Sequence, residues 1–184
     1  MELERDQLQT DILALYTREH EEMGEAGTLE RLERGAALSK EWNLPKTLAD
    51  GGVLVFPHAG VLDCGHQIAA CVHAALDSGA DKVLVVSVLH AFTAEMEQAR
   101  RNVAAGGDPA LEKHWGIQGP GLDGLQNWRS DHVLISWRHF WEAEVKRRGL
   151  ENPPLVIERF PYLAGGHPEK LPGIEELQEI AKDA

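Results

Sequence analysis

The stretch that decides the fold is residues 51–90, with the sequence GGVLVFPHAGVLDCGHQIAACVHAALDSGADKVLVVSVLH. Within it, residues 53–56 and 83–88 are short, mostly apolar runs, which are typical of buried strands. Between the two runs, small and apolar residues recur at helical spacing over about residues 65–78, and Gly79 ends the pattern. A strand, a helix and a strand in this order predict a βαβ unit with parallel strands.

The second half of the chain continues the alternation. Residues 131–148 are predicted to form a helix with Asp131 as its N-cap, and Gly149 ends it. Residues 155–160 are a third strand candidate, and about residues 173–182 form a last helix. Because no strand follows that helix, we expect a mostly parallel but small or unfinished sheet, flanked by helices.

The first 50 residues differ from the rest, with 12 acidic and 6 basic side chains. Their apolar positions have mostly helical spacing, which predicts two acidic amphipathic helices with a break near Gly24 and Gly27. We therefore expect an acidic helical extension over residues 1–50 and an α/β domain over residues 51–184. The acidic residues are most simply a solvated helical face, although a helical hairpin is also a good dimerisation element.

Composition excludes several functional classes. The chain has 184 residues and a formal net charge of -12, the wrong sign for holding a nucleic acid backbone. It has no apolar run long enough to cross a membrane, and its first residues show neither the basic start nor the apolar stretch of a signal peptide. We therefore expect neither a membrane nor a nucleic acid partner, and a cytoplasmic location. The two cysteines, Cys64 and Cys71, are expected to be free thiols.

Two histidines directly follow predicted strands, His58 after the first and His90 after the second. Parallel strands joined by a right-handed crossover bring their carboxyl ends to one edge of the sheet, where ligands of open α/β folds bind. Neutral imidazole is a common metal ligand, so the spacing is consistent with a metal site. It is equally consistent with histidines that only cap strand ends. The N-terminus of the helix after His58 is a further place that favours an anion.

The motif Pro57-His58-Ala59-Gly60, followed by Asp63-Cys64-Gly65 and a strand-ending His90, resembles the Memo family, relatives of the LigB-type class III extradiol dioxygenases. The resemblance is firmest over residues 52–91 and weaker over residues 131–181. It implies an α/β fold with a metal between strand ends. In the dioxygenase relatives that metal is non-haem Fe(II), and copper or iron binding has been discussed for Memo proteins.

The resemblance assigns His58 and His90 as metal ligands and His132 as the pocket acid/base. The family's third ligand lies on elements beyond the end of this sequence, and residues 87–90 are bulkier than the glycine and proline that usually precede the second histidine. We therefore expect a fragment, a subunit completed by another chain, or a descendant that lost its chemistry. Among substitutes for the third ligand, Asp63 and Cys64 are nearest in sequence, ahead of His66, Asp131 and His132.

The remaining candidates have structural interpretations as well as functional ones. We expect His66, His73 and Cys71 to be surface or core residues of the first helix, and His139 to lack a role. Tryptophans at helical spacing are usually core, although they could line an aromatic pocket. These are Trp128, Trp137 and Trp141. In the Gly/Pro-rich loop at residues 104–124, His114 and Trp115 are candidates for a lid, and His167 is a weak site candidate.

Two hypotheses follow from the sequence. The first is a Memo-like metal-binding protein that holds Fe(II), or Cu or Zn, at His58 and His90; whether it is an enzyme stays open. An active form would be an extradiol dioxygenase-type oxidoreductase acting on a small aromatic diol, with His132 moving the substrate proton. The second is a non-catalytic interaction or assembly module. Either a homo-oligomer or a second chain could then complete the fold.

Overall fold

A computed structural model of the chain describes residues 5–87 and 132–159, with the isolated positions 102 and 182. Four helices and two strands make up this part of the chain. They are α1 (Arg5–Glu41), α2 (Leu44–Ala49), α3 (Val61–Asp77), β1 (Lys82–Val86), α4 (His132–Arg148) and β2 (Leu155–Arg159). The two strands form a small parallel sheet, so the described residues combine helices with parallel strands as an α/β chain does.

The chain divides into two compact units. One contains Ile12–Val83 and His132–Leu155, and the described residues of the other are 5–11, 84–87, 102, 156–159 and 182. The first unit therefore includes most of α1 together with α2, α3 and α4. The predicted boundary between a helical extension and a domain at residue 50 stays a prediction.

The predicted break in the N-terminal helical region is confirmed at Gly24. This residue has φ 57° and ψ -171°, which interrupts the helical backbone of α1. Glycine adopts a positive φ without the steric cost that a Cβ would add. Two other predicted helix ends are also confirmed, since Gly79 lies two residues after the end of α3 and Gly149 directly follows α4, with positive φ of 76° and 62°.

Helix α3 is the centre of its unit, because residues 68–75 are all buried. A helix that is apolar around most of its circumference belongs inside a core. It packs against α2 and α4. It also meets α1 closely at Gly35, where a Cβ would lie 2.7 Å from the Cβ of Ala69 and from the backbone nitrogen of Ala70. The small residues of the α3 sequence thus allow the close approach of a second helix backbone.

The predicted strands at residues 83–88 and 155–160 are confirmed as β1 and β2. The predicted buried strand at residues 53–56 is wrong. Residues 52–57, hereafter the extended segment, have no strand partner among the described residues, and Val53 and Val55 are 82% and 90% exposed. An apolar run indicates an extended backbone, but whether another strand pairs with it depends on tertiary context.

Several expectations fall on residues outside the described part of the chain. They concern Asp131 as N-cap, the loop at residues 104–124 with His114 and Trp115, Trp128, His167 and the last helix, apart from position 182. None of these is tested. No helix in residues 5–87 or 132–159 is long and apolar enough to cross a bilayer.

An ionic cluster around a buried carboxylate joins three helices of the first unit. The carboxylate of Glu144 on α4 is fully buried and accepts hydrogen bonds from Arg147 Nε (2.6 Å), Arg147 Nη2 (2.7 Å) and Arg148 Nε (2.6 Å). Arg148 reaches α3, where its Nη1 donates to Asp77 Oδ1 (2.5 Å) and its Nη2 to His73 Nδ1 (2.7 Å). His73 Nε2 in turn donates to Leu32 O of α1 at 2.9 Å. Two carboxylates and two guanidinium groups balance in charge.

The hydrogen bonds of His73 determine its protonation. An arginine can only donate, so His73 Nδ1 accepts from Arg148, and Nε2 carries the proton donated to Leu32 O. Burial lowers the pKa of His73, and the charge of Arg148 lowers it further, against the opposing effect of Glu144. This histidine is therefore a neutral core residue, in agreement with the structural interpretation of its sequence position.

Candidate functional site

The loop that carries His58 ends at the N-terminus of α3, where the sequence predicts a favourable place for an anion. An anion of the protein itself occupies this place. Glu19 Oε2 of α1 accepts a hydrogen bond from the backbone N–H of Val61 at 2.8 Å. A Cβ on Gly60 would lie 2.6 Å from the same oxygen, so the absence of a side chain there gives the carboxylate access. Glu19 thus satisfies a free N–H and complements the helix dipole.

Arg31 holds the same turn from the other side. Its Nε donates to Val61 O at 3.2 Å and its Nη2 to Leu62 O at 3.0 Å, while Nη1 donates to Gly27 O at 3.3 Å. Gly65 leaves room for this arginine, because a Cβ there would lie 2.8 Å from Arg31 Cδ. Two side chains of α1 therefore fix the first turn of α3 and the end of the His58 loop.

Cys64, one of the substitutes considered for a third metal ligand, turns into the protein. Its thiol donates toward Gly60 O at 3.2 Å and Ala59 O at 3.3 Å. Burial raises the pKa of Cys64, and the nearby carboxylates of Asp63 and Glu19 raise it further. Metal binding requires the thiolate. This environment favours the protonated thiol, so Cys64 is better suited to closing the turn by hydrogen bonds than to binding a metal. Burial likewise raises the pKa of Cys71 to about 11, in agreement with its predicted core position.

The predicted metal ligands and acid/base are only partly within the described chain. His58 is exposed on the loop before α3, and Asp63 is exposed on the first turn of that helix. His90 lies outside the described residues. His132 is the first residue of α4, and its side chain also lies outside them. In residues 5–87 and 132–159, no three His, Cys, Asp or Glu side chains are grouped so that they could hold a metal ion.

The extended segment has two different faces. Val53 and Val55 are largely exposed, whereas Leu54 and Phe56 are half-buried, which is the alternation of a strand with one face on a core. The Phe56 ring stacks on Trp137 of α4 with centroids 5.5 Å apart and an interplanar angle of 11°. Trp137 is buried, so it belongs to the core as its spacing predicts, and it also stacks on the half-buried Trp141 at 5.8 Å.

An apolar groove of about 420 Å³ runs beside the extended segment. Its lining comes from the end of α1, from α2, from the extended segment and from α3. It includes Trp42, Leu44, Val53, Val55, Phe56, Gln67 and Cys71. Trp42 is 52% exposed, so an aromatic surface lies in the open next to the exposed valines. Exposed apolar surface that is contiguous is a common mark of an interaction site.

No protein-family model matches the chain, and no curated protein or solved structure shows significant similarity to it. The resemblance to the Memo and LigB-type proteins therefore rests on the quoted motifs alone. Function has to be inferred from the geometry of the described residues.

Sequence reasoning missed the two residues of α1 that organise the loop, Glu19 and Arg31. Glu19 is one of the 12 acidic residues expected to form a solvated helical face, Arg31 is not singled out by any pattern, and neither belongs to a motif. The only signal was the preference of the α3 N-terminus for an anion, which does not specify which of the acids in residues 1–50 supplies it.

We expect Glu19→Ala to reduce the free energy of unfolding by about 1 kcal/mol, because it removes a carboxylate that caps the N-terminus of α3. Urea unfolding of the purified protein measures the change. Glu21→Ala, at an exposed position of the same helix, is the matched control and should change stability by less than about 0.5 kcal/mol. Equal losses in the two variants would contradict the capping role.

Proposed function

We propose that this chain is an assembly module, in which the extended segment of one copy pairs with the same segment of a second copy. The observation that carries the proposal is the exposure of Val53 and Val55, 82% and 90%, in an extended backbone that the described residues leave without a strand partner. Burying two valine side chains is favourable by about 1.5–3 kcal/mol each when burial is complete.

The backbone of the extended segment favours pairing with another strand more than it favours binding of a small molecule. In residues 53–56, no backbone hydrogen bond to another described segment is present. A strand edge of this kind is a template for a further strand, which supplies main-chain hydrogen bonds while alternate side chains fill pockets. The groove beside Trp42 extends the apolar surface available to such a partner.

A second copy is the simplest partner. An antiparallel pair of identical segments is isologous, so one surface satisfies both copies. Residues 53–56 contain no charge, and their pairing brings no like charges directly opposite each other. The net charge of -12 repels two copies at longer range, and salt screens this repulsion. Self-association should therefore strengthen as the salt concentration rises.

We keep the cytoplasm as the expected location of the protein.

We expect the protein to form dimers at micromolar concentration, and the double variant Val53→Lys/Val55→Lys to be monomeric under the same conditions. Two opposed pairs of lysines would repel and would stay hydrated, which prevents strand pairing. Sedimentation velocity across a concentration series, at about 0.05 M and 0.5 M NaCl, measures both the association and its salt dependence.

The matched control is Leu29→Lys, an apolar residue of α1 that is 45% exposed. It adds the same kind of charge to a helix surface and should leave the dimer unchanged. A parent protein that stays monomeric at every concentration and salt level would reject self-association. A dimer that survives the double lysine variant would reject this segment as its interface.

The metal-binding hypothesis remains a second candidate, favoured by one observation. His58 is exposed on the loop between the extended segment and α3, where an incoming ion could reach its imidazole. The resemblance to the Memo family would pair it with His90, and the further ligands would have to come from residues outside the described part. Of the described substitutes, Cys64 donates to backbone carbonyls, which leaves Asp63 and His66.

We expect a metal site of this kind to retain Fe(II), Cu or Zn near one ion per chain after anaerobic incubation and desalting, and to lose it in His58→Ala. Mass spectrometry of the folded protein measures the metal content. Glu142→Ala, which removes an exposed carboxylate of α4 that is not a candidate ligand, is the control and should retain the metal. Equal metal content in the parent and in His58→Ala would reject His58 as a ligand.

A further inference from the structure

Two histidines from different helices face each other next to the break in α1. The rings of His20 on α1 and His139 on α4 have centroids 4.9 Å apart and an interplanar angle of 57°. They lie beside Gly24, whose carbonyl accepts a hydrogen bond from Thr28 Oγ1 at 2.7 Å. Thr28 Oγ1 also bonds His139 Nε2 at 2.9 Å, so the broken turn of α1 is tied to α4 through this imidazole.

The hydrogen-bond partners determine where the protons of both rings are. A carbonyl can only accept, so His20 Nδ1 carries the hydrogen that it donates to Tyr16 O at 2.8 Å. Thr28 uses its hydroxyl hydrogen on Gly24 O, so its oxygen accepts from His139 Nε2. The hydrogen bonds thus give both rings a defined tautomer, and Nδ1 of His139 is the nitrogen that would take up a second proton.

A second proton on His139 would place a positive charge on a half-buried ring, which carries a desolvation cost. The facing ring of His20 adds no compensating contact among the described residues, since its Nε2 is buried and makes no hydrogen bond.

Charged groups around the pair do not offset this cost by a described contact. On α1, the carboxylate of Glu19 is bound to Val61 at the N-terminus of α3, and Glu21 is exposed. On α4, Glu142, three residues beyond His139, is also exposed. Arg138, the neighbour of His139 on α4, is half-buried. From α3, Arg31 is held by the carbonyls of Val61 and Leu62.

We propose that His20 and His139 form a pH-sensitive latch, which holds the part of α1 before Gly24 against α4 at neutral pH and releases it on acidification. Burial lowers the pKa of His139, and the neighbouring His20 lowers it further, in agreement with a site that resists protonation. Because the released state takes up protons at the ordinary histidine pKa of about 6.5, release is favoured as the pH falls below that value.

Hydrogen exchange measured by mass spectrometry at pH 7.5 and pH 5.5, corrected for intrinsic exchange, tests the latch. Amides of residues 12–23 should lose about tenfold in protection at pH 5.5, which is about one pH unit below the ordinary histidine pKa. Residues 68–75 of α3 are the internal reference and should lose less, because they lie in the buried core. Equal losses in both segments would indicate global destabilisation and overturn the proposal.

The decisive variant keeps the hydrogen bonds and removes the titration. An asparagine amide can replace Nδ1–H of His20, and a glutamine amide can replace Nε2–H of His139. We expect His20→Asn/His139→Gln to show the same protection of residues 12–23 at both pH values. The two single variants should each reduce the pH response, and they keep the test usable if the double variant does not fold.

The control is His66→Gln on α3. Burial lowers the pKa of His66, and the charges of Arg34 and Arg31 lower it further, but His66 does not belong to the pair of His20 and His139. It should retain the parent's pH response in residues 12–23. A response that persists in His20→Asn/His139→Gln, or that disappears in His66→Gln, would overturn the latch. So would a parent whose residues 12–23 are equally protected at both pH values.

Discussion

The buried carboxylate of Glu144 is the constraint on which the first unit depends. A fully buried charge is costly unless it is paired and hydrogen-bonded, and Glu144 receives three hydrogen bonds from Arg147 and Arg148. Burial alone would raise the pKa of Glu144, but the hydrogen bonds from the two arginines outweigh it and lower the pKa. Since Arg148 also holds Asp77 and His73 of α3, and His73 holds Leu32 of α1, one cluster fixes three helices.

The rest of the unit follows from these fixed helices. With α1 held against α3, Glu19 and Arg31 reach the first turn of α3, and Gly35 permits the close contact of the two backbones. With α4 held against α3, Trp137 is in place to stack on Phe56. The extended segment is therefore anchored by its inward side chains, and its outward valines remain available for the assembly that we propose.

Much of this fold could be predicted from local patterns. Helical periodicity and the glycines at positions 24, 79 and 149 correctly indicated the break in α1 and the ends of α3 and α4, because a positive φ is a local property that glycine favours. The two strands of the sheet were also predicted. The apolar run at residues 53–56 failed as a buried strand because pairing depends on a neighbour that the run itself does not specify.

The candidate site was less predictable, since its contacts join residues distant in sequence. Glu19 and Val61 are 42 positions apart, and Thr28 and His139 are 111 positions apart, with no motif linking either pair. The sequence identifies His58 because it follows an apolar run. That argument places His58 on a loop, but it does not predict which residues surround it. The metal roles of His58 and His90 and the acid/base role of His132 stay predictions.

A double-mutant cycle on the ionic cluster tests the central claim most directly. The cycle combines Glu144→Gln with Arg148→Met and measures the free energy of unfolding in urea. The account predicts a coupling energy above about 1 kcal/mol, compared with about 0.5 kcal/mol or less for Glu142→Gln with Lys146→Met, two exposed residues of the same helix. Additive effects at Glu144 and Arg148, no larger than those of the exposed pair, would contradict it.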